Sequence, residues 1–413
     1  MKRRVAITGL GSVTAVGEGI QALWSAALES RSGVGRVRFG EEGGLDFPGA
    51  AVLNFTPEKF VVQRKALKVM ARDIQLAVAA AELAVADAGA KNLPVARERF
   101  GIIVGSGVLN HELDELAYSV CQSLGPDGRL DLGKFGTDGL PALFPLWLLK
   151  YLPNMPACHI SIFLDLEGPS NTLTTGPSSG LQAVCEAARI IRRGTADLML
   201  AGGAESKLNP LGLSQYQLMG VLAGAEGEAL SACRPFDDRS RGIVVGEGAG
   251  FLVLEELEHA RKRGAKIYAE ITGFGVSSEN NQKTALRAAV RESGLAPGDV
   301  DYVQACGLGV TAEDRLEAEA IRECSPGAIV SASKPLLGFT GFSAGALDLI
   351  LSTLAVQNGV VPPVAHAAAG DRFGLRLVSG SPQKKNVRHA VTNAFGLGGQ
   401  CVSVVTRSLA GGA

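Results

Sequence analysis

The sequence predicts an α/β protein with buried sheets, and three observations carry that prediction. Short apolar runs alternate along the chain with alanine-rich stretches of helical spacing. The 53 glycines follow no collagen-like period and cluster at the ends of the apolar runs, as tight strand-to-helix turns require. Hydrophobic residues make up 46% and charged residues 20% of the 413 positions, the balance of a well-buried globular chain. That length suggests two or three structural units.

Taken in order, residues 4–8 read as a strand that closes on Gly9-Leu-Gly11. Residues 73–88 carry apolar side chains at helical spacing and stop at Gly89, a natural C-cap. Strands follow at 100–105, 197–202 and 250–255, with a helix over 178–193 ending at Gly194. The second half repeats the style with strands at 267–274, 300–305, 328–332, 389–393 and 400–406. Both halves contain a strand that ends in a glycine-rich turn, although inspection does not prove a repeat. Residues 125–152 show little periodicity and read as an excursion or cap. The division expected is an N-terminal half, 1–255, with an excursion at about 106–165, and a C-terminal half, 256–413.

The net charge of −1 and five scattered histidines offer no basic stripe for nucleic acid and no metal-ligand spacing. Seven cysteines form no CxxC pair, and the N-terminus runs straight into a strand pattern, so reduced thiols and a cytoplasmic location are expected. No apolar run reaches the roughly 18–20 residues of a membrane span. Gly9-Leu-Gly11 fails as a dinucleotide fingerprint, because position 14 is threonine and no acidic residue follows at the right spacing.

The most specific run is Arg234-Pro-Phe-Asp-Asp-Arg-Ser-Arg-Gly242, followed by Gly246-Glu-Gly-Ala-Gly250 and Leu254-Glu-Glu-Leu-Glu-His-Ala260. With residues 5–11, 197–205 and Asn393-Ala-Phe-Gly-Leu-Gly-Gly399 in the same order, the chain resembles the β-ketoacyl synthases over essentially its whole length. The resemblance implies a thiolase-like fold: two similar halves, each a five-stranded mixed sheet, in α-β-α-β-α layers. It also implies a dimer with a pantetheine tunnel leading to a buried pocket.

Decarboxylative condensation needs an acyl-accepting thiolate, two histidines and an oxyanion hole. On the family pattern the nucleophile position here is Pro177, which lacks both the thiol and the backbone N–H that would serve as an oxyanion donor. Proline fits the first turn of a helix, so the fold tolerates it. Cys306 stands in place of the first histidine and Phe339 in place of the second. Lys334 and an acidic residue, Asp348, are retained. Lys334 reads as an ion-pair member with Asp348 or Glu313, or as a residual carboxylate binder. The second oxyanion donor would come from the loop of Phe395, Gly396, Leu397 and Gly398. Cys185 lies on an apolar helix face and reads as an inert core thiol, and the five histidines read as surface or cap residues.

The implied function is that of a chain length factor, a non-catalytic subunit pairing with an active ketosynthase in type II polyketide or polyene synthesis. The partners are then that ketosynthase, acyl carrier protein and the growing acyl chain. No cofactor belongs to the chain itself, since phosphopantetheine arrives on the carrier protein. By resemblance the interface tunnel is lined by the segment after Gly105-Ser-Gly107. Val108, Leu109, Leu113 and Leu116 are its candidates, and the three leucines are equally readable as core. Arg64, Lys65, Lys68 and Arg72 form either a patch for an acidic carrier protein or a solvated face. Two alternatives stand beside this reading: an atypical acyltransferase or hydrolase using Cys306, and a homodimeric scaffold that binds acyl chains or carrier protein.

Overall fold

The computed structural model describes residues 3–40, 44–91, 93, 96–108, 111–367 and 373–409. Ten strands carry the architecture. The first five are β1 (Val5–Thr14), β2 (Phe100–Gly105), β3 (Ser170–Leu173), β4 (Leu198–Ser206) and β5 (Val245–Glu256). The second five are β6 (Ala269–Ser277), β7 (Tyr302–Ala305), β8 (Ile329–Ala332), β9 (His389–Phe395) and β10 (Cys401–Arg407). Six helices pack on them: α1 (Arg72–Asp87), α2 (Met155–Leu164), α3 (Ser179–Arg193), α4 (Gln282–Glu292), α5 (Thr311–Cys324) and α6 (Ala344–Asn358).

The two sets share one topology. The first is ordered β3-β2-β4-β5-β1 and the second β8-β7-β9-β10-β6. In each, the first three strands are parallel and the last two run antiparallel to their neighbours. This shared order is the repeat that inspection of the sequence does not prove. The two sheets also join, because β1 and β6 pair antiparallel at Val5↔Ile271, Ala6↔Glu270 and Ile7↔Ala269.

Alternation along the strands builds the layers. On β5, Ala249, Phe251 and Val253 enter a cluster with Ile74 and Leu76 of α1 and Ile160 of α2. Its other face sends Leu252 and Leu254 into a cluster with Leu181 and Val184 of α3 and Leu347 and Ile350 of α6. In the second sheet, Val303, Val391 and Val405 meet Leu286 of α4 and Ile321 of α5. Helices therefore cover both outer faces, and α3 and α6 fill the layer between the sheets. Periodicity does not reveal α6, because the helix is buried on every side up to Val356 and has no polar stripe to mark it.

The Gly9-Leu-Gly11 motif serves packing. A Cβ on Gly9 would lie 2.3 Å from the Ala84 carbonyl oxygen of α1, and one on Gly11 would lie 2.1 Å from that of Ala80. The second half copies the device with Gly273 and Gly275 on β6 against Ala289 and Ala285 of α4. The halves also differ in their second connection. Residues 106–169 join β2 to β3 and include the helix Leu113–Gln122 and α2, whereas residues 306–328 join β7 to β8 with α5 alone.

Candidate functional site

Two matching turns open the central helices. Thr175-Gly-Pro-Ser-Ser-Gly180 leads into α3 and Thr340-Gly-Phe-Ser-Ala-Gly345 into α6. In each, the serine hydroxyl donates to the threonine carbonyl, Ser178 to Thr175 at 3.5 Å and Ser343 to Thr340 at 2.9 Å. Gly176 and Gly341 both take positive φ, +76° and +48°. The turns touch: a Cβ on Gly180 would lie 2.2 Å from the Phe342 carbonyl oxygen. Pro177 and Phe342 are therefore equivalent positions of the two halves.

Pro177 is half-buried and faces the glycine loop. Its Cδ lies 3.2 Å from a Cβ built on Gly396. The loop is held internally, since the Gly396 N–H donates to the Gln400 carbonyl at 2.8 Å and the Gly399 N–H to that of Gly396 at 2.9 Å. The Gln400 side-chain oxygen lies 2.8 Å from a Cβ built on Gly398 and 3.6 Å from one on Gly176. Its amide thus occupies the space between loop and turn. Phe395 is buried beside it, Leu397 half-exposed and Gly398 exposed.

Cys306 ends β7, is 3% exposed, and has its Sγ 4.0 Å from the Phe395 carbonyl oxygen. Burial pushes its thiol far above the ordinary value, so no thiolate is available at neutral pH. Its backbone N–H donates to Glu317 at 2.8 Å, as Gly307 does at 2.9 Å and the Asn393 amide at 3.2 Å. Burial nevertheless carries the Glu317 carboxyl up to about 7. Phe339 lies in one apolar cluster with Cys306, Phe395 and Ala344. Its ring meets Tyr216 edge to face at 6.0 Å, and its backbone bridges Val244 and Gly246.

Lys334 pairs with Asp348 at 2.6 Å, each side chain 1% exposed. This decides between the two expected partners in favour of Asp348 over Glu313. The Ser333 hydroxyl and the Gln304 amide, at 3.0 Å, donate to the same carboxylate, and Tyr302 donates to Gln304. Burial opposes the Lys334 charge, but Asp348 holds the ammonium above its ordinary value.

Pro177, Cys306, Phe339, Lys334 and the loop are thus brought together around one buried centre. The other candidates lie elsewhere. Val108 is 71% exposed, Leu113 opens its helix at 44% and Leu116 is half-buried, while Leu109 falls outside the described residues. Arg64, Lys65 and Lys68 are exposed beside Val62, but Arg72 leaves that patch to pair with Glu247 at 3.0 Å. Cys185 is fully buried, its thiol pushed up to about 12. His159 corrects the expectation of surface histidines, being 7% exposed on α2 with its ring tilted against that of Phe163 at 5.9 Å.

Three features escape the sequence reading: Glu317, Asp314 and the matched Thr-Gly-x-Ser-x-Gly turns. Asp314 accepts the backbone N–H of Phe236 at 2.9 Å, inside the Arg-Pro-Phe-Asp run, and burial lifts it to about 7. The signal for both acids is spacing. Asp314, Glu317, Ala318 and Ile321 stand at i, i+3, i+4 and i+7, which places two carboxylates on the buried face of α5. Among the described residues no group of three His, Cys, Asp or Glu side chains could hold a metal ion. Nor does any helix among them have the length and apolarity to cross a membrane.

Comparison with known proteins places this geometry. Residues 2–260 match the family description "Beta-ketoacyl synthase, N-terminal domain" and residues 268–368 match "Beta-ketoacyl synthase, C-terminal domain". The chain is 31% identical over 427 residues to 3-oxoacyl-[acyl-carrier-protein] synthase 2 of Vibrio harveyi, covering 99% of both. It is 34% identical over 413 residues to nodulation protein E of Rhizobium meliloti, covering 97% of this chain and 98% of the relative. Among solved structures, the ishigamide ketosynthase/chain length factor superposes with a TM-score of 0.84 at 27% identity, covering 99% of this chain and all of that one.

Proposed function

The chain belongs to the β-ketoacyl synthase family and has its thiolase-like fold, and we propose that it is a non-catalytic, chain-length-setting subunit of a ketosynthase heterodimer. The observation that carries this reading is the content of the buried centre. Pro177 can neither accept an acyl group nor donate a backbone hydrogen bond, and Phe339 can carry no proton. Cys306 replaces a base with a thiol that burial keeps protonated. Catalytic groups that act as a unit lose most of their acceleration when one is removed, and here three positions are changed. The packing around them points the same way, because Phe339 and Cys306 share a closed apolar cluster.

The reaction then belongs to a partner ketosynthase, and the acyl chain arrives on acyl carrier protein, the carrier named for the Vibrio relative. The ketosynthase/chain length factor whose structure superposes on this chain supports that division of labour. The same reading divides the chain at residue 255 into two ketosynthase-like halves. It assigns Val108, Leu109, Leu113 and Leu116 to the tunnel wall, and Phe395, Gly396, Leu397 and Gly398 to a vestigial oxyanion loop. An exposed surface supports pairing. β3 is an edge strand with Ser170 and Asn171 exposed, and Leu113, Tyr118, Leu132, Phe144 and Leu148 leave apolar surface uncovered in the 106–165 excursion.

The test is co-expression with an intact ketosynthase followed by native mass spectrometry. A stable one-to-one heterodimer is expected. A homodimer that ignores the synthase would sink the proposal and favour the scaffold reading. The alternative acyltransferase chemistry at Cys306 requires a reactive thiol, and failure of thiol-specific reagents to label it in the native chain would remove that option.

A further inference from the structure

A cavity of about 380 Å3 lies between the residues leading into β6, the last turn of α6 and the first turn of the helix Gly19–Glu29. That volume falls in the usual range of small-molecule sites, roughly 300–1,000 Å3. Pro177, Cys306, Phe339 and Lys334 take no part in its walls. Its apolar side is built on the central layer. Leu354 of α6 and Tyr268 are buried in the cluster that fills that layer, and Ile20 and Trp24 pack against the same cluster.

The polar side is organised around one cation. The Tyr268 phenol donates to Asp87, whose oxygens lie 2.9 and 2.8 Å away. Burial pushes this phenol well above its ordinary value, and the bond to Asp87 adds to the effect, so the hydroxyl stays neutral. With its proton committed to Asp87, the phenol oxygen accepts from the Lys266 ammonium at 2.8 Å. The same ammonium stands 4.0 Å from the centroid of the Tyr268 ring. Lys266 is exposed, yet its head is held in place by its neighbour at the cavity wall.

What this cation lacks is a carboxylate. Among the described residues Lys266 forms no ion pair, and of its three N–H donors one is used by the phenol. Asp87 does not serve, because it is taken by Tyr268 and by the backbone N–H of Leu10 at 2.9 Å. The other charges nearby do not compete. No acidic residue stands in the first turn of the helix Gly19–Glu29. At the end of α6 the Asn358 amide donates to the Leu354 carbonyl at 2.7 Å, and the Gly359 N–H to that of Ala355 at 3.0 Å. Gln21 and Gln357 add exposed amides to the walls.

We propose that this cavity binds a small aromatic carboxylate, its ring against Trp24 and Leu354 and its carboxylate on the Lys266 ammonium. A single cation beside an indole and an aliphatic floor suits a flat monoanion, and a phosphate dianion would keep half its charge uncompensated. The site stands apart from the buried centre, so the inference goes beyond the chain-length reading and does not depend on it.

The experiment titrates the full chain with benzoate, benzamide and acetate. Binding is followed by ligand-observed NMR on the wild-type protein and by tryptophan emission in Trp147→Phe, where Trp24 is the one tryptophan left of two. Saturable benzoate binding that perturbs Trp24 emission is expected. Benzamide, which lacks the charge, and acetate, which lacks the ring, should each bind weaker by about threefold or more. Lys266→Met should weaken benzoate by a similar factor, and added salt should weaken it in the wild type. The proposal is overturned by lack of saturation below about 10 mM benzoate, or by smaller differences between the three ligands. Benzoate binding that leaves Trp24 emission unchanged, or that Lys266→Met does not weaken, puts the ligand elsewhere and overturns it equally. If Lys266→Met fails to fold, Lys266→Gln decides by the same criterion. Failure of both to fold would make Lys266 a packing residue and end the proposal.

Discussion

The turns that open α3 and α6 have the same pattern, the same hydroxyl-to-carbonyl bond and the same positive-φ glycine, yet they stand in different surroundings. In the first half only residues 174–175 separate the end of β3 from Gly176. In the second, residues 333–340 separate the end of β8 from Gly341, and that insertion carries both Lys334 and Phe339. The first turn faces the glycine loop and Gln400, and the second faces Glu205 and Gly107. A duplicated backbone has thus been set against a glycine loop in one half and against a buried carboxylate, with an aromatic ring packed on Gly107, in the other. The difference teaches that conservation of a turn does not conserve its chemistry. What each turn can do depends on the segments brought against it from the other half.

The sharpest way to break the comparison is at the insertion. Lys334→Ala leaves Asp348 buried without its cation, and a loss of about 3–5 kcal/mol in urea unfolding is expected. Thr174→Ala, on the exposed short connection of the first half, should cost less than about 0.5 kcal/mol. Equal losses would remove the claim that the insertion anchors the second turn.

Next in size is product length. Leu113 and Leu316 are both 44% exposed and sit in corresponding connections of the two halves. Leu113→Trp should shorten products of the reconstituted heterodimer, whereas Leu316→Trp should leave them unchanged. An equal effect from both would detach the tunnel from the first half. Pro177→Cys alone should restore no condensation, because Phe339 and Cys306 still supply no base; product formation by that variant without the partner synthase would contradict the non-catalytic reading.

A smaller effect concerns pH. The folded-state carboxyl of Glu317 titrates near 7, against an ordinary 4.5, so the native chain holds that proton more tightly than the unfolded one. Its contribution to stability is therefore most favourable below the unfolded value and is lost as pH rises from about 4.5 toward 7. Asp314 acts in the same direction, as does Asp73 in the first half, also lifted to about 7 by burial. Glu317→Gln should flatten, without abolishing, the fall in melting temperature between pH 5 and 7. An unaltered slope would place that proton elsewhere. The smallest effect is expected at the basic turn, where Arg64→Glu with Lys65→Glu should weaken carrier-protein binding a few-fold, more at low salt than at high. No change at low salt would mark the turn as a solvated face.

Much of this architecture is legible before any coordinates. Strands such as Phe100–Gly105 announce themselves as apolar runs bounded by glycine, and the Arg-Pro-Phe-Asp run identifies the family by itself. The proposed site is legible through its departures, because Pro177, Cys306 and Phe339 stand in segments that resemble family motifs, beside a retained Lys334 and glycine loop. What hides are features that depend on contacts distant in sequence. α6 has no polar face to give it a period, and Gln400 gains its place only when β9 and β10 bring it against Gly176. Glu317 reads as an ordinary helix charge until β7 delivers two backbone N–H groups to it. The packing of Phe342 requires Gly107, more than two hundred residues earlier, to lie against its ring.

The pairing of β1 sets a schedule for synthesis. Val5 lies opposite Glu256 and Ile271, so apart from its end, where Val13 and Thr14 pair with Glu18 and Gly17, β1 has no strand neighbour until β5 is made, about 230 residues later. At roughly 5–20 residues per second that wait lasts on the order of 12–50 s. Throughout it a ten-residue strand, buried along its whole length in the finished protein, stays open to aggregation or to a chaperone. Closure of the first sheet must await β5, and β1 gains its remaining strand neighbour only when β6 emerges.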